Sequence, residues 1–182
     1  MADNSKWLDA GLATLEKYGA RALTIERLAE RVGLSKGSFY HHFNGMSGYQ
    51  TALLAHYEAT FTTQYIDAAE QDPLATPRAK LDRLMDMVCA DDDPDVEVAL
   101  RAWALQDPEV HDAQERIDRL RVDYLKKVWL ELTGDEEQSA LMARLLYLIV
   151  VGAGQVIPPV SPLELRRLYE FTLAQMGSAA RT

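Results

Sequence analysis

Apolar positions recur three and four residues apart along almost the whole chain, a spacing that predicts helices. Leu8, Gly11, Leu12 and Leu15 form the first stripe, opened by Asn4 or Ser5 as cap and closed by Gly19. Thr24 can cap a second, short helix whose inner face holds Ile25, Leu28, Ala29 and Val32. Gly33 and Leu34 break it. Ser35 then caps a third short helix, with Phe39 and Phe43 one turn apart on its inner side, and Asn44-Gly45 ends it. A much longer helix is predicted from about Ser47 to Gln71.

After Asp72-Pro73 the apolar faces lengthen. Leu81, Leu84, Met85, Val88 and Cys89 mark one helix, and Asp91-Asp92-Asp93-Pro94 its boundary. A helix from about Asp95 to Gln106 carries Val96, Leu100 and Trp103, and stops at Asp107-Pro108. Glu109 to Leu132 alternates charge with Ile117, Leu120, Tyr124, Val128 and Trp129, and ends at Gly134. Residues 135–156 form a further helix, apolar on almost every side from Leu145 to Val151. A last one, Pro162 to Met176, carries Leu165, Leu168, Tyr169, Thr172 and Met176. No run alternates β-branched residues between hairpin turns, and no repeat or low-complexity tract occurs. The expected class is all-α: three short helices followed by longer ones.

A chain of 182 residues with 48% hydrophobic and 26% charged residues has the composition of a folded protein. Its N-terminus lacks a basic segment followed by an apolar one, so the expected location is cytoplasmic. The uncharged stretch Leu145 to Val160 is short for a bilayer span and contains Gln155 and Pro158-Pro159, so no membrane helix is expected. Cys89 is the single cysteine, which excludes an internal disulfide or a thiolate zinc cluster, and its apolar stripe suits a core thiol better than a redox sensor. The charge is uneven. Residues 1–48 carry six Lys/Arg against five Asp/Glu, and the remainder thirteen against twenty-three. A polyanion would therefore meet the chain through its N-terminal quarter.

That quarter has the elements of a helix-turn-helix: two short helices joined by a tight turn, with the small Ala29 four residues before Gly33. On a helical wheel with Phe39 and Phe43 inward, Gly37 and His41 point outward, Ser38, Tyr40 and His42 flank them, and Lys36 projects from the first turn. This outward surface has hydrogen-bonding groups and no bulky aliphatic side chain. It suits a major groove: Gly37 lets the backbone come close, and Lys36 can donate to guanine or to a phosphate.

The stretch from Leu23 to Phe43, "LTIERLAERVGLSKGSFYHHF", closely resembles the TetR family of bacterial transcriptional regulators. The preceding "LDAGLATLEKYGARALT" and the following "YQTALLAHYEA" are similar to the helices that flank it there, so the motif-bearing likeness covers roughly residues 7–57. The resemblance implies a DNA-binding head over residues 1–46, joined by a long helix to a ligand-binding and dimerisation domain over 47–182. It implies phosphate contacts for Thr24, Tyr40 and His42, and positions nearest the bases for Ser35, Lys36, Gly37 and His41; Ser38 completes the expected interface. Where the family commonly has a lysine three residues after Phe43, this chain has Met46. The phosphate contact there is absent or comes from the start of the fourth helix.

Other chemistries fit less well. His41 and His42 diverge by about 100° on a helix, so they do not make a two-histidine metal site. The run Asp91, Asp93, Asp95 begins like an EF-hand but has Val96 and Ala102 where glycine and glutamate are needed. No Ser-His-Asp order, phosphate-cradling glycine loop or HExxH pattern appears, so neither an enzyme nor a metal or other cofactor is expected.

Met85, Cys89, Trp103, Tyr124, Trp129 and Tyr147 are either ordinary core or the lining of a cavity for a hydrophobic or planar effector. The segment Leu141 to Val156 is either monomer core or subunit contact; with residues 163–176, the resemblance implies a four-helix dimer interface. The expected function is a homodimeric repressor that binds a palindromic double-stranded DNA operator and is released by a small-molecule effector. The alternative is an all-α ligand-binding dimer whose DNA-reading head has no function.

Overall fold

A computed structural model of the chain describes residues 4–90 and 94–179, the side chains of 94, 95 and 175–179 excepted. The helix boundary expected at Asp91 to Asp93 and the inward place expected for Met176 lie outside that description. The described residues contain helices and turns and no strand, as the periodicity predicts. The helices are α1 (Ser5–Tyr18), α2 (Ile25–Val32), α3 (Lys36–His42), α4 (Gly45–Glu58), α5 (Gln64–Ala69), α6 (Pro77–Ala90), α7 (Pro94–Ala104), α8 (Pro108–Thr133), α9 (Glu136–Gln155) and α10 (Pro162–Ala179). A 3₁₀ turn, Ala20–Ala22, follows α1, and a π turn, Ala59–Thr63, joins α4 to α5.

The long helix expected from Ser47 to Gln71 is thus not one regular α-helix. It starts two residues earlier, at Gly45, and ends at Ala69. Its middle is the π turn A-T-F-T-T, whose threonines and phenylalanine are stiff or bulky at the β-carbon and fit poorly against the preceding α-turn. Thr62 is buried there.

The helices form two compact units. The first comprises the chain up to Thr63, with α7 and α8 as far as Ile117. α1 packs on α2, α4 and α7, and its buried side includes Trp7, Leu8, Thr14 and Leu15. Two apolar clusters fill this unit: Trp7, Leu28, Phe39, Phe43, Tyr49 and Leu53 around α3, and Leu15, Leu54, Tyr57, Val96, Leu100 and Ile117 beside α7. Trp103 packs against both. The packing boundary therefore differs from the functional boundary expected between residues 46 and 47, because the head's apolar faces are completed by α4 and α7.

The second unit holds α5, α6, α9, α10 and α8 from Asp118 onward. Its core contains Leu81, Met85, Tyr124, Val128, Trp129, Met142, Leu146, Leu165 and Tyr169. Lys80, itself buried, bonds Glu70 at 2.8 Å and Glu131 at 3.3 Å, and so ties α6 to α8 and to the segment after α5. Leu120, placed on the inner stripe of α8 by its spacing, is exposed instead. On α9, Met142, Ala143, Leu146 and Tyr147 face the core while Leu141, Leu145 and Leu148 are exposed on another side; on α10, Leu163, Leu168 and Phe171 are exposed.

Candidate nucleic-acid interface

Three local devices set α2 and α3 in place. The Thr24 hydroxyl accepts from the Arg27 N–H at 3.3 Å and caps α2. Gly33 takes the left-handed conformation (φ 72°, ψ 28°), and the N–H groups of Gly33 and Leu34 both reach the Ala29 carbonyl, at 2.9 and 3.1 Å. The Ser35 hydroxyl then accepts from the Ser38 N–H at 3.2 Å and starts α3 at once.

Phe39 decides which way α3 faces. It is fully buried, 5.3 Å from the ring centroids of both Trp7 and Tyr49 and 5.1 Å from that of Phe43. With that side sealed, Ser35, Lys36, Gly37, Tyr40 and His41 are exposed, and Ser38 and His42 are half-buried at the edges. A Cβ on Gly37 would meet nothing closer than the Ser35 hydroxyl at 3.5 Å, so its outer side is open. Tyr40 is 60% exposed, its ring edge-on to Phe39. The rings of His41 and His42 stand 5.4 Å apart and 72° askew, in edge contact. Among the described residues no group of three or more His, Cys, Asp and Glu could hold a metal ion.

The electrostatics of the head differ from those of the second unit. Lys17, Arg21, Arg27 and Arg31 are exposed, and none has a carboxylate partner among the described residues. Lys17 and Arg27 lie over the exposed ring of Tyr18, 5.4 and 4.9 Å from its centroid. Lys36 is the exception, paired with Glu26 at the start of α2. In the second unit Arg78, Lys80, Lys126, Lys127 and Arg166 are all bonded to carboxylates. The head keeps cations available for an external anion, whereas many of the second unit's cations serve internal pairs.

Met46, in place of a lysine, is half-buried against the head's core and presents no cation. It lines a cleft of about 320 Å³ with Arg21, Leu23, Tyr49, Gln50 and Trp103. Trp103 thus belongs to the first unit, while Met85, Tyr124 and Trp129 lie in the core of the second, with Cys89 packed against it. Tyr147, also in the second unit, is buried and donates to Asp118 at 2.7 Å. Burial pushes the Cys89 thiol above its ordinary pKa, which keeps it protonated at neutral pH. Sequence reasoning did not place Trp7 or Tyr49 under α3. Trp7 falls one position before the stripe used for α1, and Tyr49 enters from a separate helix.

Residues 8–48 match the family model of bacterial regulatory proteins, tetR family. Solved structures at low identity share the fold over 92–97% of the chain. A TetR transcriptional regulator from Legionella pneumophila is 16% identical with a TM-score of 0.78, over 94% of this chain and 98% of that one. A TetR transcription regulator from Haloarcula marismortui is 23% identical with a TM-score of 0.70, over 97% and 95%. The regulatory protein TetR from Rhodobacter sphaeroides is 17% identical with a TM-score of 0.74, over 92% and 95%. No curated protein sequence matches the chain.

Proposed function

We propose, from the match of residues 8–48 to the family model of bacterial regulatory proteins, tetR family, that the chain is a homodimeric repressor that binds a palindromic operator and is released by a small-molecule effector. The observation that carries the reading is the two-sidedness of α3. Phe39 is buried with Trp7 and Tyr49, and the opposite flank of Ser35, Lys36, Gly37, Tyr40 and His41 is exposed, in a segment whose Lys17, Arg21, Arg27 and Arg31 have no carboxylate partner among the described residues.

In this reading residues 1–46 bind DNA. The backbone at Gly37 approaches the major groove, and Ser35, Lys36 and His41 stand nearest the bases. Thr24, Tyr40 and His42 contact phosphates, while Ser38 completes the contact. Unpaired Lys17, Arg21 and Arg27 add counterion release, so affinity falls steeply as salt rises.

Residues 47–182 serve dimerisation and effector binding. Leu141, Leu145 and Leu148 of α9 and Leu163, Leu168 and Phe171 of α10 form exposed apolar stripes of the kind a subunit contact covers. Two-fold pairing of heads then calls for a palindromic site. In the second unit the Trp129 indole N–H is buried without a hydrogen-bond partner among the described residues. An apolar effector carrying an acceptor would satisfy it. A coupling of about 1–3 kcal/mol between effector and operator suffices to change operator affinity roughly 5- to 150-fold.

The test is a mobility shift with the full chain against the DNA upstream of its own coding sequence, at low salt. A sequence-selective shift is the expected result. A folded dimer with no selective shift would favour a ligand-binding dimer whose head does not read DNA, a reading to which Met46 in place of a cation lends some weight. Among the described residues no helix is long and apolar enough to cross a membrane.

A further inference from the structure

Lys36 differs from its neighbours. Of the cations on residues 4–48 it alone is held by a carboxylate among the described residues, that of Glu26, so the first turn of α2 and the first turn of α3 meet through this pair. Both side chains stay open to an external partner, Lys36 being 55% and Glu26 68% exposed. Lys36 also holds the Glu26 carboxyl below the usual carboxylate range, so the acid is charged at neutral pH. A carboxylate on a surface that meets a polyanion repels phosphates unless it finds a donor there.

We infer that Glu26 is a base-reading residue, and that with Lys36 it matches the major-groove edge of one G·C pair in each half-site. This rests on the operator-binding reading above. After donating one N–H to Glu26, the Lys36 ammonium keeps two donors, and the carboxylate keeps a second oxygen. The G·C edge offers the guanine N7 and O6 acceptors and, beside them, the cytosine N4 amino donor. Lys36 donates to guanine while Glu26 accepts from cytosine, and the ion pair between them is retained. An A·T pair keeps an N7 acceptor for the ammonium but places its adenine amino group where O6 stood and its thymine oxygen where the carboxylate needs a donor, so Lys36 loses one acceptor and Glu26 loses its donor. Glu26 therefore opposes binding to an arbitrary duplex and gains a partner only at the right base pair, which is specificity by repulsion as well as attraction.

The test uses the full chain and duplexes enriched by it from a random pool. Each base pair of the enriched half-site is then varied and titrated by fluorescence anisotropy at one salt concentration. The expected result is a G·C position at which A·T weakens binding about five-fold or more. Glu26→Ala flattens the preference at that position alone and strengthens binding to an unrelated duplex. Lys36→Ala flattens the same position and weakens binding to the unrelated duplex. Glu26→Gln, which keeps an acceptor without the charge, retains part of the preference. Unchanged discrimination at every position in Glu26→Ala overturns this inference and leaves the operator reading standing. A wild-type chain that enriches no sequence overturns both.

Discussion

Tyr49 donates its hydroxyl to the backbone carbonyl of Trp7 at 2.8 Å, directly over Gly11 of α1. A Cβ on Gly11 would stand 2.0 Å from that hydroxyl and 2.9 Å from Leu53 Cδ1. Both Tyr49 and Leu53 are buried and belong to the cluster that also seals Phe39, so neither yields freely.

Gly11→Ala therefore pits two effects against each other. Alanine in a helix interior gains about 0.5–1 kcal/mol over glycine. The collision costs about 1–3 kcal/mol as overpacking and about 1 kcal/mol more if the Tyr49 bond is lost. The steric side wins, and urea unfolding followed by tryptophan fluorescence should show a net loss. Adding Tyr49→Phe should return part of it by removing the oxygen at 2.0 Å, though Leu53 still crowds the site.

Gly37 gives the opposite case. Nothing opposes a Cβ there, so Gly37→Ala should raise stability by up to about 1 kcal/mol. Gly37→Leu should fold as well as the wild type yet bind the operator more weakly, because its side chain occupies the close approach of α3 to the groove. Thermal melts and mobility shifts on the same preparations separate the two effects. Full operator affinity in Gly37→Leu would show that this flank is not the one that docks.

The outward flank of α3 and the buried Phe39 were legible in the sequence because both lie within one short helix, where spacing fixes direction; Phe43, expected one turn on in the same helix, is buried too but follows its last residue in extended backbone. The caps at Thr24 and Ser35 were legible for the same local reason. Trp7, Tyr49 and Trp103 were not placed together, since their meeting depends on how α1, α4 and α7 pack, and periodicity within a helix does not report it. Leu141, Leu145 and Leu148 showed the converse limit. Their apolar character was plain, but only packing on the far side of α9 reveals that they remain exposed.

Those exposed leucines predict the oligomeric state. Leu145→Glu combined with Phe171→Glu places charge on both stripes and leaves the unit's buried core untouched. Sedimentation should find a dimer for the wild type and a folded monomer for the double variant, with operator binding lost alongside. A dimer unaffected by both charges would move the subunit contact elsewhere.

Acid should loosen the second unit through Glu70. Its carboxyl lies below the ordinary range, chiefly because Lys80 donates to it, with Lys127 helping. A lowered carboxylate pKa contributes stability above its unfolded value of about 4.3 and loses it as pH falls through the folded value. Lys80, raised first by the same bond to Glu70, contributes below its unfolded value of about 10.4 and loses it as pH rises through the folded one. Lys80→Met should cost of order 1 kcal/mol at pH 7. Its deficit against the wild type in urea midpoints should hold through the neutral range and shrink at strongly acid pH. A deficit unchanged down to the acid limit would assign it to packing alone.

The central claim, that the exposed flank of α3 is the surface that meets DNA, is tested most directly by amide hydrogen exchange on the chain with and without an enriched duplex. The account predicts new protection concentrated at Thr24 and over residues 35–42. Exchange over those residues that stays unaltered while the duplex is demonstrably bound would contradict it.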